Sequence, residues 1–180
     1  MNKKLKLTEL NRISVEGYKT QEKTPIIVIL DNIRSLNNVG SFFRTSDAFN
    51  IESIYLCGIT ATPPHREIQK TALGATDSVD WYYNENTLEV VDVLQNKGYK
   101  VYAIEQAKET ISLENLNYNN EPIAIIFGNE VKGVDQNVID TCDACIEIPQ
   151  FGTKHSLNVS ISYGVVAWHL INQSIGKKNI

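Results

Sequence analysis

A chain of 180 residues with 42% hydrophobic and 21% charged side chains is long enough for one compact α/β domain and too short for two substantial ones. No apolar stretch approaches the ~20 residues of a membrane span, and the basic start Met1-Asn2-Lys3-Lys4-Leu5-Lys6 leads into no uninterrupted apolar core. Neither a membrane protein nor a secreted one is therefore expected, and the default compartment is the cytoplasm. The net charge of −4 argues only weakly against a nucleic-acid partner, because distribution matters more than the sum. Residues 1–24 hold six basic side chains (Lys3, Lys4, Lys6, Arg12, Lys19, Lys23) against three acidic ones, leaving eleven basic and eighteen acidic for the rest.

In chain order, Leu5 to Tyr18 sets Leu7, Leu10, Ile13 and Tyr18 close to helical spacing, and Gly17 with Lys19 to Thr24 reads as a linker. Residues 1–24 are thus predicted to be a basic N-terminal arm or helix, and 25–180 the domain proper. Pro25 opens a strand, Ile26 to Leu30, that ends at Asp31-Asn32. Val39, Phe42, Phe43, Ser46, Ala48 and Phe49 share one helical face, which predicts a helix over 38–49. Ser53 to Leu56 is a second strand and Thr60 to Pro64 a turn. Arg66 to Leu73 is a short helix stopped by Gly74, and Ser78 to Tyr83 a third strand. Thr87 to Asn96 is an amphipathic helix closed by Gly98, and Tyr99 to Ile104 a fourth strand ending in Glu105-Gln106. Such alternation of strand and helix predicts a mainly parallel α/β sheet.

The remaining third carries the chemistry. Ile123-Ala124-Ile125-Ile126-Phe127 is a continuous apolar run of the kind buried on both faces of a parallel sheet. It stops at Gly128-Asn129-Glu130, where an α/β sheet presents its site. Ala144 to Ile148 repeats the plan, with Pro149 and Gly152 before the polar cluster Lys154-His155-Ser156-Leu157-Asn158. From Ser156 the alternation of polar and apolar residues reads as a strand by period alone, yet the segment continues through Val166, Trp168 and Ile171.

Three words in this sequence resemble the motifs of the SpoU RNA methyltransferases. Asn-x-Gly-x-x-x-Arg stands at Asn38, Gly40 and Arg44; Phe-Gly-Asn-Glu-x-x-Gly runs from Phe127 to Gly133; Ile-Pro-x-x-Gly-x-x-x-Ser-Leu-Asn-Val runs from Ile148 to Val159. The resemblance implies an α/β sheet flanked by helices whose C-terminal part, about residues 122–172, is threaded into a deep trefoil knot. It also implies a helix from near Ser156, a homodimer, and methylation of a ribose 2′-hydroxyl of tRNA or rRNA with S-adenosylmethionine as donor. Carried over, Asn38, Arg44, Glu130, Ser156 and Asn158 are the expected catalytic residues. Ala103, Ile104, Glu105, Phe127, Gly128, Ile148 and Leu157 are the expected cofactor contacts, and no metal is expected. The chemistry implied is a single displacement in which the ribose oxygen takes the sulfonium methyl. A guanidinium is not readily deprotonated, so a bidentate grip by Arg44 on a neighbouring phosphate suits arginine better than the role of base. The Asn129-Glu130 wording is closer to relatives acting on tRNA guanosine or large-subunit rRNA than to wobble-base relatives.

Other readings weigh against these. A dinucleotide-dependent oxidoreductase lacks its Gly-x-Gly-x-x-Gly after the first strand. A non-catalytic knotted RNA-binding or assembly protein has no need of Asn38, Arg44, Glu130, Ser156 and Asn158 together. Cys142-x-x-Cys145 runs into a strand rather than opening a helix, where a redox thiolate is stabilised, so Cys57, Cys142 and Cys145 read as structural thiols. His65 and His155 read as surface residues. His65, Arg66 and Lys70 are candidates for RNA contact, and Trp81, Tyr82 and Tyr83 for core or dimer surface.

Overall fold

The computed structural model describes residues 2–6, 9, 10 and 12–178. Seven strands form one sheet: β1 (Thr24–Asp31), β2 (Ile51–Cys57), β3 (Asp80–Asn84), β4 (Lys100–Ile104), β5 (Ile111–Ser112), β6 (Ile123–Phe127) and β7 (Ala144–Glu147). Their spatial order is β3-β2-β1-β6-β4-β7-β5, and every neighbouring pair is parallel. The central strands are the apolar runs seen in the sequence. β6 is buried at all five positions and β1 from Ile26 onward, because helices cover both faces.

The helices are α1 (Val15–Thr20), α2 (Leu36–Ala48), α3 (Arg66–Ala72), α4 (Ala75–Ser78), α5 (Thr87–Asn96), α6 (Gln136–Ile139) and α7 (Val159–Lys178). The larger core lies between one face of the sheet and residues of α1, α2, α3, α4 and α7. The smaller core lies beneath α5 and α6. Under the carboxyl end of β6 three rings meet: Phe42 of α2 stacks on Tyr163 of α7 at 4.6 Å, and Phe127 meets both edge-on at 5.3 and 5.4 Å. Offset-stacked and edge-to-face geometries are the favoured ones for such rings. They lock the sheet, the first-motif helix and the last helix together directly below the strand ends. No helix among the described residues is long and apolar enough to cross a membrane.

Several sequence expectations are corrected. The first helix does not run from Leu5 to Tyr18; it begins at Val15, capped by the Ser14 hydroxyl, and of its apolar set only Tyr18 is buried. Leu5, Leu10 and Ile13 are exposed, and Leu7 lies outside the described residues. Without a surface to bury, the helical spacing has nothing to stabilise it. α2 starts two residues earlier than expected, at Leu36, because Ser35 takes the cap by accepting from the Asn38 amide. α4, α6 and β5 are short elements that no periodic pattern announces. Over 156–171 the helix prevails, starting at Val159. Tyr163, Val166, Ala167, Leu170 and Ile171 are buried at three- and four-residue spacings. The apparent alternation came in part from Leu157, Ile161 and Val165, which are apolar but exposed.

Candidate functional site

The loops leaving β1, β4, β6 and β7 converge at the carboxyl edge of the sheet, where sites of open α/β sheets form. The loop after β6 is the tightest. Asn129 and Gly133 exchange two backbone hydrogen bonds of 3.0 and 2.8 Å. The Asn129 amide oxygen accepts from Val131 N and Lys132 N, while its nitrogen donates to Asn32 O at 2.8 Å. Gly128 is obligatory in this turn: a Cβ there would lie 2.1 Å from the Gly133 carbon and the Val134 nitrogen. Gly133 has φ +72°, and a Cβ would lie 2.2 Å from Glu105 Oε2.

Glu130 reaches from this loop to the start of α2. Its carboxylate accepts from Arg34 N, Ser35 N and Asn38 Nδ2, each at 2.9 Å. Partial burial alone would raise the pKa of Glu130; the backbone donors of Arg34 and Ser35, with Asn38, overcome that and lower it, since hydrogen bonds to the charged form favour it. Asn38, only 8% exposed, passes the connection on. Its Oδ1 accepts from Asn158 Nδ2 at 3.2 Å and Ser160 Oγ at 3.4 Å. Asn158 in turn caps α7, its Oδ1 accepting from Ser160 N at 2.9 Å and Ile161 N at 3.3 Å. One chain of side-chain hydrogen bonds thus ties the three motif loops together.

Beside that chain lies a cleft of about 560 Å³. Ile104, Phe127, Ile148, Leu157 and Val159 give it apolar walls, while Glu105, Gln106, Gln150, His155 and Ser156 add polar groups. Glu105 accepts from Val134 N at 3.1 Å and Gln106 N at 2.8 Å. Gln106 donates to His155 O at 3.1 Å, holding the last loop to the end of β4.

Of the expected cofactor positions, Ile104, Glu105, Phe127, Gly128, Ile148 and Leu157 line this cleft and Ala103 does not. Ala103 is fully buried in the smaller core, on the opposite side of its strand, as the alternation of side chains along a strand requires. Among the expected catalytic residues Glu130, Ser156 and Asn158 line the cleft. Asn38 stands behind it, reaching it through Glu130 and Asn158. Arg44 is exposed on α2 and is not part of the lining. Six positions past Asn38 it lies about 9 Å further along the helix and about 240° around it, so the two do not meet in one pocket of one chain. Ser156 makes no hydrogen bond among the described residues. Asn129, Gln106, Gln150 and Ser162 were missed in the sequence; only Asn129 carried a signal, as part of the second motif. His65 and His155 are exposed, the former capping α3 and the latter at the cleft rim. The three cysteines are free. Cys142 bonds to Val138 O and Cys145 to Glu105 O, and burial pushes the Cys57 and Cys142 thiols up to about 12, which suits structural thiols.

The chain is similar to known proteins in sequence and in fold. The 23S rRNA (guanosine-2′-O-)-methyltransferase RlmB of Vibrio parahaemolyticus is 28% identical over 171 residues, covering 94% of this chain and 68% of its own. The tRNA (guanosine(18)-2′-O)-methyltransferase of Aquifex aeolicus is 28% identical over 154 residues, covering 82% of this chain and 69% of its own. The chain thus spans about two thirds of the length of both relatives. In three dimensions the A. aeolicus TrmH/SpoU tRNA modifying enzyme superposes with a TM-score of 0.80 at 24% identity, over 91% of this chain and 82% of that one. The AdoMet-bound rRNA methyltransferase of Sinorhizobium meliloti superposes with 0.77 at 25% identity, over 91% and 62%. Residues 25–168 match the SpoU rRNA Methylase family, a span that opens one residue into β1, closes inside α7 and takes in every segment of the cleft; the chain belongs to that family.

Proposed function

We propose that the chain is an S-adenosylmethionine-dependent methyltransferase that transfers a methyl group to a ribose 2′-hydroxyl of tRNA or rRNA in the cytoplasm. The observation that carries this reading is the Glu130–Asn38–Asn158 hydrogen-bond chain, which joins the three motif loops beside one cleft. The cleft suits a nucleoside-like donor. Its volume falls within the ~300–1,000 Å³ of small-molecule sites. Ile104, Phe127, Ile148 and Leu157 would hold an adenine, and Glu105, Gln106 and Gln150 stand near enough to meet polar groups. When bound, S-adenosylmethionine supplies an electrophilic sulfonium methyl.

The chain's own residues then orient and enclose. Glu130 holds the β1–α2 loop in place, and Asn158 sets the start of α7. Ser156, with a hydroxyl free of other partners among the described residues, is available to the ribose. Arg44 is assigned a bidentate grip on a phosphate next to the target ribose, aligning the hydroxyl for attack. Since Arg44 does not line the cleft of its own chain, this role requires a second copy. A homodimer is supported by Ile161, Val165 and Trp168, exposed by 57, 41 and 55% along one side of α7, an apolar stripe of the kind that marks an interface. The exposed Lys3, Lys4, Lys6 and Arg12 support an N-terminal arm, residues 1–24, that contacts RNA phosphates. The deep threading over about 122–172 is also part of the proposal. It is supported by β6 entering between β1 and β4, β7 between β4 and β5, and α7 returning to pack on α2.

The test is transfer of labelled methyl from S-adenosylmethionine to unmodified tRNA and rRNA, followed by mapping of the 2′-O-methyl nucleotide. Arg44→Ala is expected to lower turnover by at least ~10²-fold, the size of losing a catalytic group, with cofactor affinity nearly intact. Arg44→Lys keeps the charge but loses the planar fork, and is expected to recover little. Near-normal methylation by Arg44→Ala removes the role given to that residue. Cofactor binding with no transfer to any RNA leaves a binding protein instead.

A further inference from the structure

β6 sits between β1 and β4, and each of those flanking strands ends in a carboxylate that turns toward the loop leaving β6. Glu105, just past β4, accepts from Val134 N at 3.1 Å. Asp31, the last residue of β1, accepts from the next amide, Asp135 N, at 3.1 Å through Oδ2. Its Oδ1 accepts from Thr87 Oγ1 at 2.6 Å and Asn32 Nδ2 at 2.9 Å. Asp31 is only 2% exposed, and a carboxylate taken out of water to this degree is costly unless its partners are well placed. Successive amides of one short segment are therefore gripped by two strands at once. The residues just before that segment, 128–133, form a wall of the cleft.

We infer that Asp31 is a positioning residue for the cofactor cleft, acting through Asp135 N on the 128–135 loop; the inference rests on the methyltransferase reading. Releasing the Asp135 amide leaves the Val134–Asp135 end of the loop held by Glu105 alone, while Asn129 and Glu130 still tie its start to residues 32–38, so the cleft wall formed by Gly128 to Gly133 is pinned less firmly against Ile104 and Leu157. The consequence falls on cofactor binding, because neither Asp31 nor Asp135 lines the cleft and Asp31 is closed to an RNA.

The experiment is calorimetric titration of the full chain with S-adenosylhomocysteine, beside filter binding of total tRNA and thermal melting. Asp31→Ala is expected to weaken S-adenosylhomocysteine about tenfold or more, the size of one buried hydrogen bond to a charged group, with tRNA affinity unchanged. Asp31→Asn loses the contact from Asn32 Nδ2 but is expected to stay within about threefold in cofactor affinity, since its amide oxygen still accepts from Asp135 N while its NH₂ turns to the Thr87 hydroxyl, which also accepts. Should Asp31→Ala not fold, Asp31→Glu carries the test. It keeps the charge but moves the carboxylate out by one methylene, and it is expected to lose cofactor affinity several-fold at unchanged tRNA affinity. A folded Asp31→Ala, or failing that Asp31→Glu, that binds S-adenosylhomocysteine as wild type does, or that loses cofactor and tRNA affinity alike, overturns the inference alone. A wild-type chain that binds no S-adenosylhomocysteine overturns the methyltransferase reading and this inference with it.

Discussion

Glu130 shows how a residue can be legible in a sequence while its work is not. Its place in Phe-Gly-Asn-Glu-x-x-Gly marks it for the site, but its three partners, Arg34, Ser35 and Asn38, lie more than ninety positions away. The carboxylate therefore acts first as a tie between loops. Because the folded state lowers its pKa below the ordinary 4.5, the stability it contributes is fully present above that value and is lost as pH falls through the lowered native one. Acid titration of the wild type, followed by circular dichroism, is expected to show this loss below pH 4.5. Glu130→Gln should be less stable at neutral pH and less sensitive across the same window. A variant as acid-sensitive as wild type would place the titrating group elsewhere. Gly128 is the local counterpart. Its need for no side chain follows from backbone of the same motif 2.1 Å from a built Cβ, a closeness that only the folded turn reveals. Arg44 was legible as a motif member, but not its absence from the lining of its own chain's cleft.

At the scale of elements, apolar runs predicted well and periodicity predicted unevenly. α5 runs from Thr87 to Asn96, as its amphipathic pattern indicated. β6 spans the whole Ile123 to Phe127 run. Periodicity failed where an apolar residue faces outward, as Ile161 and Val165 do in α7, or where nothing covers a helical stripe, as with Leu10 and Ile13. Asn158 joins element to site, since its Oδ1 caps α7 and its Nδ2 bonds Asn38. Two substitutions separate these functions. Asn158→Ala loses both and is expected to cost about 1 kcal/mol of stability, the ordinary worth of an N-cap, along with activity. Asn158→Asp keeps an oxygen cap, and its charge is favoured at a helix N-terminus. It also loses the donor to Asn38 and sets a second carboxylate near Glu130. Melting temperature near wild type with a sharp fall in turnover is expected for Asp. If Asp restores turnover as well as stability, Asn158 is only a cap.

The order of the strands was the part of the molecule least legible in advance. Alternating elements specify a parallel sheet, but the insertion of β6 between β1 and β4 is decided by contacts among segments up to a hundred residues apart. The proposed second copy is equally invisible to periodicity, because nothing in the spacing sets Trp168 apart until the structure leaves it 55% exposed. Charge placed on that stripe gives the decisive measurement. Trp168→Glu is expected to shift the chain to monomer in sedimentation or light scattering, since a two-fold interface meets each change twice, and to lose methyl transfer while still binding S-adenosylhomocysteine. Mixed dimers then locate Arg44. With one subunit carrying Arg44→Ala and the other Asn38→Ala, purified through two different tags, an Arg44 serving the opposite cleft leaves one of two sites intact, and about half the wild-type rate is expected for a two-fold dimer. An Arg44 serving its own cleft leaves neither site intact, and the mixed dimer is as inactive as its parents. Activity in a monomeric Trp168→Glu chain refutes the shared site, because a lone subunit then completes the arginine and the cleft by itself.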